Sequence, residues 1–208
     1  MVGLQHRGQE GAGIVSVNMK GDVADFKLHK GHGLVTDVFT PADVQALDGV
    51  HAIGHTRYST AGGKNQLEGY QPFCVHYRMG NLALAHNGNL SNAQELRAFF
   101  ENQGVLTQST VDSELFLHLV SHSKRSSQVD QIFDAMTQVE GAFSVVLLTD
   151  KFMCAVRDPN GFRPLCIGRL KGRGPGGASP PCQRQEAAGC TGLDHGAVRP
   201  WACAGPGS

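Results

Sequence analysis

The stretch Asn81 to Asn92, NLALAHNGNLSN, constrains the fold more than any other part of this chain. Leu82 to Ala85 is a short apolar run with the composition of a buried strand. It breaks at His86-Asn87-Gly88, where glycine tolerates positive φ and leaves backbone N–H groups open. Ser91 and Gln94 then stand at capping-box spacing, so a helix is expected to start there. A strand that stops at such a turn beneath a helix start gathers donors: the Asn87 amide, the Gly88 N–H and the N–H groups of the first helical turn. Donors so placed can hold an anion or a developing oxyanion. Equally, Asn-Gly can be no more than a tight turn.

The flanking segments read as antiparallel strands with segregated helices. A helix over Met1–Arg7 closed by Gly8 precedes a hairpin of two strands, Gly13–Val17 and Val23–His29, turned at Lys20-Gly21-Asp22. Thr40-Pro41-Ala42-Asp43 is a helix start, with an N-cap, a proline at the first helical position and an acid in the first turn. Further strands are expected over Val50–Tyr58, Phe73–Tyr77, Ala142–Leu148, Phe152–Arg157 and Pro164–Leu170, and Ser59–Gly69 reads as a polar mobile loop. Helices are expected over Asn92–Gln103, Ser113–His122 and Val129–Val139. The last of them turns Val129, Ile132, Phe133, Met136 and Val139 to one face. Strands, then helices, then strands, joined by hairpin-length links, favour an α+β fold over repeating βαβ units. The chain has neither a dinucleotide glycine fingerprint nor a phosphate-binding P-loop.

With 208 residues and 40% hydrophobic content, one sizeable core is expected, and 18 basic residues balance 18 acidic ones. That balance offers no field for nucleic acid or an anionic membrane. No signal sequence or spanning apolar run stands out, so the expectation is a cytoplasmic protein without membrane or nucleic-acid partners. From Lys171 to Ser208 the composition shifts abruptly to Gly, Pro, Ala, Arg and Cys with no hydrophobic period. The domain therefore spans 1–170, and 171–208 reads as a disordered or frameshifted tail. His195 with Cys182, Cys190 and Cys203 matches no standard zinc spacing, so no metal site is expected.

Three separated segments carry polar residues within apolar surroundings: His55-Thr56-Arg57-Tyr58, His86-Asn87-Gly88 and Thr110-Val111-Asp112-Ser113. Arg57 at a strand end can clamp a carboxylate or sit as a surface charge. Asp112 at a helix start can receive an ammonium group or simply cap its helix. With the donors of Asn87 and Gly88 between them, these residues suit an α-amino acid bearing a carbonyl to be polarised.

LQHRGQE, GHTRYST, LAHNGNLSNAQELR, TVDSE and RDPNGFRPLCIG, in that order, resemble the glutaminase domain of the amidophosphoribosyltransferase family, over Val2 to Leu170. The wider group is the class II glutamine amidotransferases, which are N-terminal nucleophile hydrolases. The resemblance implies a four-layer αββα sandwich of antiparallel sheets, here lacking its first strand. It implies that Arg57 binds the α-carboxylate of glutamine, that Asp112 binds its α-ammonium group, and that Asn87 and Gly88 form the oxyanion hole. Arg7 and Gly8 would lie beside the nucleophile, and Tyr58 to Gly63 would belong to a loop closing over glutamine. The implied activity is glutamine hydrolysis supplying ammonia to make 5-phosphoribosylamine from phosphoribosyl pyrophosphate in purine biosynthesis. The family's nucleophile is an N-terminal cysteine, whereas no cysteine precedes Cys74 here. A fragment inactive on its own is therefore expected, without the phosphoribosyltransferase domain and without a cofactor. Full-length members use Mg2+, some carry an iron–sulfur cluster, and they are homo-oligomers. The alternatives are a non-catalytic glutamine-binding or regulatory module and a gene fragment without function.

Overall fold

Period-two alternation along the strands sets how the layers stack. The computed structural model describes residues 1–58, 69–169, 185–188 and 201–204. After a short 3-10 helix over Val2–Arg7, β1 (Gly11–Lys20) and β2 (Val23–His32) form the expected hairpin, longer at both ends. A single helical turn, α1 (Val35–Val38), and α2 (Pro41–Ala46) lead to β3 (His51–Arg57), which pairs antiparallel with the free edge of β1. The α2 cap forms as its sequence predicts: Asp43 N donates to Thr40 Oγ1 at 3.3 Å, and Thr40 N donates to Asp43 Oδ2 at 2.9 Å.

The second sheet holds β4 (Phe73–Tyr77), β5 (Gly80–Leu90), β6 (Gly141–Thr149) and β7 (Met153–Arg157) in the order β7-β6-β5-β4, all antiparallel. Between β5 and β6 come α3 (Ala93–Asn102), α4 (Ser113–His122) and α5 (Gln128–Met136). One face of this sheet, with Leu82, Leu84, Phe143, Val145 and Leu147, packs on Leu115 and Phe116 of α4 and on Ile132 of α5. The opposite face presents Ala83, Ala85 and Leu148 to Val15, Val17 and Ile53 of the first sheet. Small side chains on that face let the two sheets approach closely. Outside the first sheet, Ala12 packs with Val35, Val38 and Phe39. The layers run helix, sheet, sheet, helix, as expected of the αββα sandwich.

Three local expectations fail. The strand does not stop at Asn87-Gly88: β5 runs on to Leu90 in unbroken register with β6, pairing Asn87 with Ser144 and Gly88 with Phe143. The Ser91–Gln94 capping box does not form either. Asn92 is the N-cap of α3, and its amide instead bonds Gln138 O and Glu140 N. On α5, Val129 and Phe133 are each 44% exposed, and the buried face is Gln128, Gln131, Ile132 and Ala135. Gln131 can be buried because its amide is satisfied on both sides, accepting from Tyr77 Oη and donating to Arg125 O.

A short strand β8 (Cys166–Arg169) pairs with β9 (Gln185–Ala188), and β10 (Trp201–Ala204) pairs with β7. The rest of the expected tail over 171–208 lies outside the described residues, and so does the expected loop over 59–69 apart from Gly69. No described helix is long and apolar enough to cross a membrane.

Candidate active site

A mismatch in strand length opens the site. The β4–β5 ladder ends at Phe73 opposite Leu84, while β5 continues to Leu90. Past Leu84, one edge of β5 therefore faces no strand, and side chains take its donors. His86 N donates to Gln71 Oε1 at 2.6 Å, and Leu90 N donates to Asp112 Oδ2 at 2.9 Å. Backbone N–H groups two residues apart point the same way along a strand. The Gly88 N–H thus points out of the same edge, between the Gln71 amide and the Asp112 carboxylate. Gly88 has φ +151°, and a Cβ there would run into the Ala142 carbonyl and Phe143 Cα, so only glycine keeps this register. The neighbouring Asn87 side chain is exposed.

Asp112 is the N-cap of α4 but makes no side-chain cap bond. One carboxylate oxygen accepts from Leu90 N, and the other stands 3.6 Å from His86 Nδ1. Burial alone would raise its pKa, but the nearby His86 ring and the Leu90 N–H outweigh burial and hold the carboxyl below its usual range. The carboxylate is therefore ionised at neutral pH. The irregular segment before it is fixed by two side chains. Glu114 accepts from Gln108 N, Ser109 N and Ser109 Oγ at 2.7–2.8 Å. Arg97 donates to Ser109 O and Val111 O.

Arg57 ends β3 with its guanidinium carbon 5.2 Å from the Tyr70 ring centroid and its Nε 4.0 Å from Glu10 Oε2. A Cβ on Gly69 would meet Arg57 Nη1 at 2.8 Å and Val111 Cγ2 at 3.4 Å. The guanidinium thus lies against the same glycine as the residue before Asp112. Gly8 presses on the end of β3: a Cβ there would sit 2.5–2.6 Å from Arg57 and Thr56 backbone atoms. Arg7 and Gly8 are thereby brought beside Arg57. Tyr58 is 68% exposed, and residues 59–63 of the expected closing loop lie outside the described residues.

Four polar residues in or beside this site are given no role by the sequence reading, although His55, His86 and Ser113 fall in the polar segments it singles out. His86 is 3% exposed; its Nδ1 lies 2.8 Å from Ser113 Oγ, its ring packs edge-on to Phe116, and its Nε2 is buried without a partner. Gln71 Nε2 donates to the same Ser113 Oγ at 2.9 Å. The fourth, His55, bonds to the His86 backbone; burial first, and then the nearby His86 ring, lower its pKa to about 4, so it is neutral at neutral pH. A signal existed in the alternation itself: continuing Leu82, Leu84 by two places puts His86 on the face that the helices cover.

Among the described residues no three His, Cys, Asp or Glu side chains converge as metal ligands. The arrangement brings together a guanidinium, an ionised carboxylate and, on the strand edge where that carboxylate accepts from Leu90 N, the Gly88 backbone N–H. That is the equipment for holding an amino acid by both charged groups and polarising a carbonyl.

Residues 55–179 match the glutamine amidotransferase domain family. The chain is 46% identical over 166 residues to an amidophosphoribosyltransferase from Lacticaseibacillus casei, covering 79% of this chain and 83% of that one. It is 44% identical to the Bacillus subtilis amidophosphoribosyltransferase and 48% identical to a chloroplastic one from Arabidopsis thaliana. It spans only 34% and 29% of their respective lengths. Among solved structures, the B. subtilis glutamine phosphoribosylpyrophosphate amidotransferase complexed with ADP and GMP superposes with TM-score 0.73 at 41% identity, covering 81% of this chain and 35% of that one. An allosteric regulatory enzyme of purine biosynthesis gives 0.76 at 43%. On sequence, on fold and on the motifs that line the uncovered edge of β5, this chain belongs to the amidophosphoribosyltransferase family, over its glutamine amidotransferase domain.

Proposed function

We propose that this chain binds glutamine between Arg57 and Asp112 and polarises its carboxamide with Asn87 and Gly88. In this reading the guanidinium pairs with the α-carboxylate and Asp112 receives the α-ammonium group. Attack of a thiol on the amide carbon drives its oxygen negative, and the Asn87 amide and the Gly88 N–H donate to that oxygen. Ammonia then leaves, and water releases glutamate. The attacking thiol in family chemistry belongs to an N-terminal cysteine; Cys74 and Cys154 are packed into the cores and do not serve. Tyr58, exposed beside Arg57, would cover the bound amino acid. Within the longer relatives, the ammonia would be consumed by a phosphoribosyltransferase unit acting on phosphoribosyl pyrophosphate, in a homo-oligomer.

One observation carries the reading. Asp112 spends its carboxylate on the open edge of β5 instead of on its own helix, next to the Gly88 N–H. Calorimetric titration with glutamine tests it. Arg57→Ala and Asp112→Asn should each weaken binding about tenfold or more, the worth of one charged hydrogen bond. Unchanged affinity in both variants refutes the assignment.

A further inference from the structure

The buried hydroxyl of Ser113 has a role that the glutamine-binding reading leaves unassigned. His86 N is a fixed donor, so the Gln71 oxygen must face it, and the Gln71 amide nitrogen must donate to Ser113 Oγ. Ser113 Oγ therefore accepts at least once. The same oxygen lies 2.8 Å from His86 Nδ1, while the nearer Asp112 oxygen lies at 3.6 Å. The negative charge of Asp112 beside Nδ1 favours the tautomer that carries its proton there. The other ring nitrogen, Nε2, is buried without a partner.

Two acceptors thus compete for one proton, and geometry gives it to the serine. Ser113 is 1% exposed, and its backbone is set by the first turn of α4, so it cannot drift from this position. We propose that Ser113 is a specificity-determining positioning residue that draws the His86 Nδ1 proton away from Asp112, keeping one carboxylate oxygen open for the α-ammonium group of the ligand. Without the hydroxyl, His86 would turn its proton onto Asp112 and occupy the oxygen that recognises the amino group. The proposal rests on the assignment of Asp112 as the ammonium site.

The test compares two ligands that differ only in that group: glutamine and 4-carbamoylbutanoate, which lacks the α-amino group. Both are titrated calorimetrically into the 208-residue protein and its variants. The parent protein should prefer glutamine. Ser113→Ala should lose about tenfold of that preference while binding 4-carbamoylbutanoate as before, and Ser113→Thr, which keeps the hydroxyl, should restore it. In Ser113→Ala the Asp112 side-chain carboxyl, followed by NMR, should titrate at lower pH than in the parent. Ser113→Ala with its preference intact, or weakened equally toward both ligands, overturns this role and leaves the Asp112 assignment standing. A parent protein that binds both ligands equally, or neither, overturns the assignment and this role together. Should Ser113→Ala fail to fold, Ser113→Cys, of similar shape and a poor acceptor, carries the same expectations.

Discussion

The two halves of β5 lie in one strand and one ladder with β6, yet they do opposite work. From Leu82 to Leu84 the strand is flanked on both edges, and its side chains fill the cores on both faces. From His86 to Leu90 it keeps β6 but loses β4, and its freed backbone donors at His86 and Leu90 go to Gln71 and Asp112. The difference teaches where an enzyme-like site can be made without sacrificing a sheet. A strand that outlasts its neighbour provides aligned, rigid donors on one side, while the other side stays anchored. The apolar half holds the polar half in place.

If that division holds, damage to the apolar half should appear as lost stability. Leu84→Ala, at a fully buried position, should lower the unfolding free energy by about 4 kcal/mol in urea melts. A smaller loss, comparable with a surface change, would break the comparison. The polar half should instead show itself through pH. Native His55, against the His86 backbone, stays neutral down to about 4, whereas its ordinary value is 6.5. The unfolded chain therefore takes up a proton first, so stability is intact above pH 6.5 and falls by about 3 kcal/mol as pH drops toward 4. His55→Leu should flatten that limb. Gly88→Ala combines positive φ with a clash against Ala142 and should cost about 2 kcal/mol. Asn87→Ala marks the limit: with its side chain exposed, stability should move by less than about 0.5 kcal/mol. If Asn87→Ala destabilised as much as Leu84→Ala, the polar half would be structural after all.

Much of this division was legible from residues alone, and the failures are informative. Local chemistry predicted the Thr40 cap, the β1–β2 hairpin and the limits of α4, because those signals act within a few residues. The Asn87-Gly88 break was misjudged for a physical reason. Glycine at positive φ ordinarily ends a strand, but here the close passage of Ala142 leaves no room for a side chain, and the ladder continues through it. Helix α5 misled in another way, since the buried Gln131 is polar in sequence and acceptable only because Tyr77 and Arg125 reach it from other elements. Arg57, Asp112, Asn87 and Gly88 stood out by motif. His86 and Ser113 were named only as members of polar segments and Gln71 not at all, since what makes the three notable is burial beside one another, from three segments far apart in the chain.

The clamp that Glu114 and Arg97 place on the segment before Asp112 has a thermodynamic consequence. A stretch without regular structure would ordinarily be ordered only when a ligand arrives, and binding would then carry the entropy of that ordering. Here three donors from Gln108 and Ser109 converge on one carboxylate, and Arg97 fixes two carbonyls, so this stretch is held by contacts within the protein itself. Association at Asp112 should then show a heat-capacity change with no contribution from the ordering of residues 108–111.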